Sequence, residues 1–325
     1  MAELTMIQAV NLAMREALAE DDAVILLGQD VGVDGGIFRA TQGLIEDFGA
    51  ARVLDTPLAE AGIIGMAVGM ALNGMKPVAE MQFSGFSYQA FHQIENHVAR
   101  FRWRTNGRFS VPMVIRMPYG AGVRALEHHS ESREAYWAHT PGLKLVIPSG
   151  PIKARALLAA AIRDPDPVIF YEPKALYRAF KEDVPDVAEP IKIGKADVVR
   201  VGKDLTLIAY GAMLPRAVDA ATKLAGDGIE AEVIDLMTIS PLDEETIIQS
   251  VKKTGRAVVV HEASRSFGVG AELCARINDK AFFHLEAPVK RVTGYDIHPP
   301  FFAREQHYLP SVLRIYDEAR ETLTI

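Results

Sequence analysis

Asp55-Thr56-Pro57-Leu58-Ala59-Glu60-Ala61-Gly62-Ile63-Ile64-Gly65 seats one carboxylate among small and apolar residues, where a loop turns into a helix. Acidic residues favour helix N-termini, where the first N–H groups carry partial positive charge, so capping is one reading of Glu60. The other reading is chemical. Burial disfavours the charged form of a carboxylate, and a group so placed can hold or share a proton and act on a bound heterocycle. The peptide alone leaves both open; the segments on either side of it decide what kind of fold this helix belongs to.

Upstream, residues 5–20 read as a helix: Thr5 and Gln8 make a capping-box pattern, and Ile7, Val10, Met14 and Leu18 recur on one face. A short buried strand follows at 24–27, and apolar runs recur at 78–83, 113–117, 143–147 and 168–171 with helical stretches between most of them. Strands alternating with helices predict parallel pairing and an α/β sandwich. At 181–190 charge and two prolines, Pro185 and Pro190, interrupt every periodic pattern, which reads as an interdomain linker. Beyond it, strands are expected at 205–210, 232–235 and 257–261, and helices at 214–225, 243–253 and 269–280. The expected organisation is two α/β domains, 1–180 and 197–325, joined by a linker at 181–196. No fixed-period repeat is visible, which disfavours solenoids and propellers.

A chain of 325 residues with 49% hydrophobic composition is long enough for two cores. The net charge is −7 and the basic residues form no long run, so nothing favours nucleic-acid binding. The single cysteine, Cys274, excludes an internal disulfide and is expected to pack as a small hydrophobe in a reducing compartment. The N-terminus enters an amphipathic pattern without the order of a secretory signal or the arginine-rich character of a transit peptide, and no apolar run approaches the ~20 residues that span a bilayer. A cytoplasmic protein is the expectation.

Several further segments stand in a fixed order with Glu60: Gly28-Gln29-Asp30-Val31-Gly32, then Ala79-Glu80-Met81-Gln82-Phe83 with Phe86, then His128-His129-Ser130-Glu131-Ser132. Ile169 to Arg178, Leu285-Glu286-Ala287-Pro288 and Arg291-Val292-Thr293-Gly294 complete the series. In this order the chain resembles, nearly end to end, the beta subunit of the thiamine-diphosphate-dependent decarboxylating component of 2-oxo acid dehydrogenase complexes. The resemblance implies an N-terminal pyrimidine-binding domain of transketolase type and a C-terminal transketolase-C-type domain. It implies oxidative decarboxylation of a 2-oxo acid with acyl transfer to the lipoyl groups of an acyltransferase core. Residues 267–277 resemble pyruvate-type members, while Glu172 to Arg178 and Gly294-Tyr295-Asp296 resemble branched-chain members at least as well; pyruvate is the expected substrate and a branched-chain 2-oxo acid the alternative.

By the same resemblance Glu60 hydrogen-bonds the cofactor's aminopyrimidine ring, Phe86 stacks on it, and Leu58 and Gln82 line it. The family places its site histidine directly before Ser-x-Ser, which selects His129 over His128 and faces it toward substrate; histidine suits that work because it exchanges protons near neutrality. Backbone carbonyls of Met113, Ala161, Ile162, Asp164 and Asp166 match a family loop that holds a structural potassium ion, with a plain proline-rich turn as the alternative. The second domain is implied to hold subunits together and to dock the acyltransferase core, with Glu286 and the terminal carboxylate of Ile325 offering negative charge.

Mg²⁺ for the diphosphate is usually signalled by Gly-Asp-Gly followed by an Asn. Gly226-Asp227-Gly228 is present, but it follows a helix and precedes a strand, with no asparagine until Asn278, so it reads as a helix-ending turn. The expectation is half a cofactor site, completed by an alpha subunit in a tetramer of two alpha and two beta chains. Gly62, Gly65 and Gly69 on the helix after Glu60 cost ~1 kcal/mol each relative to Ala, and a closely packed backbone, within the subunit or across subunits, is expected to offset that. Phe267-Gly268-Val269-Gly270 opens a helix and is a weak anion-site pattern. Two rival classes remain: a transketolase-like transferase, which would normally carry the diphosphate domain in the same chain, and a non-catalytic α/β binding subunit.

Overall fold

The computed structural model describes residues 2–188 and 191–324, which form two compact units. One runs to Tyr119 and resumes over Tyr136–Ile193; the other takes Gly120–Ala135 and resumes at Gly194. Gly120–Ala135, inside the stretch read as the first domain, therefore clusters with the second unit.

In the first unit β1 (Ala2–Thr5) leads into α1 (Met6–Glu20), and Gln8 Oε1 accepts the Thr5 N–H at 2.9 Å as the capping-box pattern requires. Ile7, Val10, Met14 and Leu18 are all buried. The sheet is built from β2 (Val24–Gly28), β3 (Val53–Asp55), β4 (Lys76–Glu80), β5 (Val114–Tyr119), β6 (Lys144–Val146) and β7 (Val168–Pro173). Their spatial order is β6-β7-β5-β4-β2-β3, and every pairing among them is parallel. β2, β5 and β7 are buried at every position, the condition of a parallel strand covered on both faces, which is why they read as apolar runs without alternation. α2 (Glu60–Leu72) packs on β4, and α1 packs against α3 (Pro151–Arg163), where Arg155 forks onto Glu16.

Lys181–Val184, within the expected linker, is instead a strand, β8, paired antiparallel with β1. Nothing in its charged sequence announces this, because its partner stands at the other end of the unit and Ala2–Thr5 presents little apolar surface of its own. The apolar run at 78–83 also overreaches: β4 ends at Glu80, and Met81 is buried in the turn beyond, its N–H bonded to Arg116 O at 2.9 Å.

The second unit carries a sheet of β9 (Asp197–Arg200), β10 (Leu205–Ala209), β11 (Ala231–Asp235), β12 (Ala257–Val260) and β13 (Lys290–Val292) in the order β13-β12-β10-β11-β9. Only the edge strand β9 is antiparallel to its neighbour. The connecting helices α4 (Met213–Gly226), α5 (Glu244–Thr254) and α6 (Val269–Ala281) stand within a residue of expectation. Gly226-Asp227-Gly228 is the end of α4: Asp227 caps it, Gly228 has φ +79°, and the Asp227 carboxylate takes the hydroxyl of Tyr316 from α7 (Val312–Glu321).

Candidate functional site

The loops after β2, β3 and β4 leave the same edge of the first unit's sheet, because Gly28 stands level with both Asp55 and Glu80 in adjacent parallel strands. The carboxyl ends of parallel strands are where open α/β sheets bind ligands. After β2 the chain turns sharply: Asp30 has φ +59°, and the Asp55 carboxylate accepts the N–H groups of Gly32 and Val33 at 2.6 and 3.0 Å. This ties the Gly28–Gly32 motif to the strand that precedes Glu60. Asp30 Oδ2 in turn accepts the side-chain amide of Gln82 at 2.7 Å, so the Gln82 carboxamide is oriented by a residue of the neighbouring loop.

Glu60 is the first residue of α2 and is 8% exposed, while Leu58 just before it is 69% exposed. The helix begins without a side-chain cap on Ala59, so Glu60 belongs to a first turn whose N–H groups have no side-chain cap. Phe86 lies in a 3₁₀ turn, Ser84–Tyr88, and is half-buried. Its ring meets Phe83 edge-on at 5.3 Å; Phe83 meets Phe38 at 5.5 Å, and Phe38 meets Tyr177 at 5.2 Å. The Tyr177 hydroxyl donates to Glu172 at 2.6 Å, and Glu172 belongs to a buried triad: Arg116 donates to Glu172 at 2.7 and 3.0 Å and to Glu80 at 2.6 Å. Burial raises the Glu80 carboxyl despite the attraction of Arg116, and burial with the Glu172 charge holds the Tyr177 hydroxyl protonated far above its ordinary range. Sequence reading passed over Arg116, Glu172 and Tyr177 as chemistry; the one signal for the first two was a charge inside each of two otherwise apolar, fully buried strands.

His129 lies in the segment that clusters with the second unit. It closes a 3₁₀ turn, Glu127–His129, and is half-buried, whereas His128 is exposed; their rings meet edge-on at 6.0 Å.

Around the expected potassium loop, the Met113 carbonyl accepts from Val168 N–H at 3.0 Å and the Ala161 carbonyl from Asp164 N–H at 3.3 Å. The Asp164 carboxylate is held by Lys144 at 2.6 and 2.8 Å, and Asp166 by Arg102 at 2.5 Å. Both side chains are thus matched by cations, leaving carbonyl lone pairs at the C-terminal end of α3 as the available ligands. No group of three His, Cys, Asp or Glu suited to a metal ion occurs among the described residues.

At Gly62, Gly65 and Gly69 an added Cβ would meet nothing closer than 3.6 Å, so among the described residues no backbone makes the close approach expected there. In the second unit the start of α6 is closed to an anion: His261 Nε2 accepts the Gly270 N–H at 3.3 Å, and a Cβ at Gly270 would stand 2.6 Å from that nitrogen. Glu286 is paired with Arg256 at 2.5 Å, so its charge is matched within the chain, and Ile325 lies outside the described residues. Cys274 is half-buried, and burial raises its thiol above the ordinary range.

Residues 2–179 match the family described as transketolase, pyrimidine binding domain, and residues 194–315 the transketolase C-terminal domain. A solved structure described as a split gene transketolase, an inactive beta4 tetramer, shares the fold at a TM-score of 0.82 and 22% identity, covering 99% of each chain. Two relatives, from Acholeplasma laidlawii and Bacillus subtilis (strain 168), are both named pyruvate dehydrogenase E1 component subunit beta. The first is 52% identical over 95% of this chain and 94% of its own length. The second is 50% identical over 99% of each. A Staphylococcus aureus relative of the same name is 48% identical over 99% of each chain. The ordered motifs, the paired transketolase-type domains and these full-length identities give one result: the chain belongs to the family of pyruvate dehydrogenase E1 component beta subunits.

Proposed function

We infer that this chain is the pyrimidine-binding half of a thiamine-diphosphate-dependent pyruvate dehydrogenase, active with an alpha subunit that holds the diphosphate and Mg²⁺. The observation that carries this reading is the placement of Glu60, Gln82 and Phe86 beyond the carboxyl ends of β3 and β4, the two parallel strands that flank β2, with Glu60 buried at a helix start. These residues suit a flat heteroaromatic ring: a carboxyl group to exchange a proton with a ring nitrogen, an amide held by Asp30, an aromatic face, and the apolar Leu58 beside them. When bound, the cofactor supplies the carbanion chemistry that no side chain offers. The chain's own work is to seat the ring, to move a proton at Glu60, and, at His129, to exchange protons with substrate.

The open glycine-bearing face of α2 suits contact with another subunit. The carbonyls of Met113, Ala161, Ile162, Asp164 and Asp166 suit a large, weakly hydrated cation, and exchanging K⁺ for Na⁺ is expected to lower the Tm of the first unit by a few degrees; an unchanged Tm favours a plain turn. The second unit is assigned to subunit assembly and to docking the lipoyl acyltransferase core.

The test is decarboxylation by the complex reconstituted with its alpha subunit, thiamine diphosphate and Mg²⁺, comparing pyruvate with branched-chain 2-oxo acids. Pyruvate is the expected preference, and Glu60→Gln is expected to lower kcat by about 100- to 10,000-fold with Tm unchanged. Full activity of Glu60→Gln would return that residue to the role of a helix cap, and a branched-chain preference would reassign the substrate.

A further inference from the structure

The segment Gly120–Ala135, which carries His129, is fastened within the second unit by three buried carboxylates, two of them far away in sequence. Glu262, two residues past the end of β12, accepts the Ala121 N–H at 2.8 Å. Glu305 accepts the Arg124 N–H at 2.9 Å. At the far end of the segment, Glu134 accepts the Tyr210 hydroxyl at 2.8 Å. Glu134, Glu262 and Glu305 are 0, 2 and 0% exposed. The segment also closes on itself, the Gly120 N–H bonding to Glu131 O at 3.1 Å, so His129 stands two residues inside a closed ring of backbone.

The backbone these carboxylates hold is one that the chain would not adopt unaided. Gly120, Gly122 and Arg124 have φ of +84°, +103° and +57°. For Arg124 that conformation is costly, and a non-glycine residue persists there only where its surroundings over-determine it. Glu305 bonds to the N–H of this strained residue. At Gly120 a Cβ would stand 2.7 Å from Glu262 Oε1, so the carboxylate and the glycine fit each other.

Stability is a poor explanation for Glu134 and Glu305. Taking a carboxylate out of water is expensive, and a single neutral donor, the Tyr210 hydroxyl or the Arg124 N–H, recovers only part of the cost. Glu134 Oε2 and Glu305 Oε1 find no hydrogen-bond partner among the described residues. Groups retained at such cost at the two ends of one short segment fit a requirement for its geometry.

We propose that Glu262 and Glu305 are positioning residues that fix the backbone of Gly120–Ala135 and thereby the imidazole of His129. This rests on the assignment of His129 to the reaction, and it adds residues that neither touch substrate nor stand near His129 in sequence. A site histidine misplaced by about 1 Å loses on the order of 100-fold in rate, so loss of one anchor is expected to cost 10- to 100-fold in kcat.

The experiment uses the reconstituted complex and the variants Glu305→Ala, Glu305→Gln, Glu262→Ala, Glu262→Gln and His129→Ala. The alanine variants are expected to lose about 10- to 100-fold in kcat with KM for pyruvate nearly unchanged, and to be cut faster by trypsin after Arg124. The glutamine variants keep an acceptor oxygen and are expected to recover most of the rate, which also covers any failure of an alanine variant to fold. In a His129→Ala background Glu305→Ala is expected to cost nothing more. An equal loss in both backgrounds, or full turnover by both alanine variants while His129→Ala is crippled, overturns the positioning role alone. If His129→Ala itself turns over normally, the assignment of His129 fails and the positioning role fails with it.

Discussion

A histidine can be present for what it accepts. His261 is fully buried, lies against Tyr210, and gives the first turn of α6 an acceptor where an anion would otherwise fit. Burial, with Arg291 and Arg265 nearby, depresses its imidazolium from 6.5 to about 4. Because the folded value lies below the unfolded one, the unfolded chain binds the proton first. Stability is therefore full above about pH 6.5, falls as the pH drops toward 4, and levels off below that. The loss across the window is roughly 3 kcal/mol. Thermal unfolding of the second unit followed from pH 7 to 4 is expected to show this decline, and His261→Gln, which keeps an acceptor for the Gly270 N–H, is expected to flatten it. Single residues stood out in the sequence where a motif framed them, as with Glu60 and Gln82, whose burial and hydrogen bonding the structure describes. His261, Glu262 and Glu305 have no such frame: a polar residue at the end of an apolar strand, or on a short helix, looks the same whether it caps, anchors or faces water.

At the scale of elements, the parallel strands were legible because full burial makes them mostly apolar without alternation, and their helices because one face repeats. The three-residue strands β3, β6 and β13 are too short for any periodicity to register; of these only β6 was expected, inside the longer apolar run at 143–147. β8 was hidden because edge pairing is decided by a partner, not by local composition. Also hidden was the charge shared among strands: Arg116 on β5 reaches Glu80 on β4 and Glu172 on β7, with all three carboxyl and guanidinium groups out of water. Arg116→Met is expected to destabilise the first unit by about 3–5 kcal/mol, since it strands two buried carboxylates. Replacing all three by apolar residues of similar volume is expected to cost far less, and urea unfolding of the single and triple variants measures the difference. If Arg116→Met proves as stable as the parent, one or both carboxylates are already protonated.

For the molecule as a whole, the proposed division of the cofactor site with an alpha subunit sets what the chain binds by itself. Titration calorimetry of the chain alone with Mg²⁺ and thiamine diphosphate is expected to show no binding tighter than about 1 mM, and binding is expected to appear when the alpha subunit is added. Micromolar Mg²⁺ binding by the chain alone would mean that oxygen ligands are assembled here after all. The family was legible from the order of its motifs, while the allotment of Gly120–Ala135 to the second unit was not, since sequence matching places its whole length within residues 2–179.

That allotment bears on how such proteins diverge. A genetic crossover near residue 190, between the two matched domains, looks harmless on a domain map. It would nevertheless hand Gly120, Ala121 and Arg124 of one parent to the residues at 262 and 305 of another. Chimeras between relatives are therefore expected to work best when residues 120–135 travel with the C-terminal half, so that the inherited unit is discontinuous in the gene.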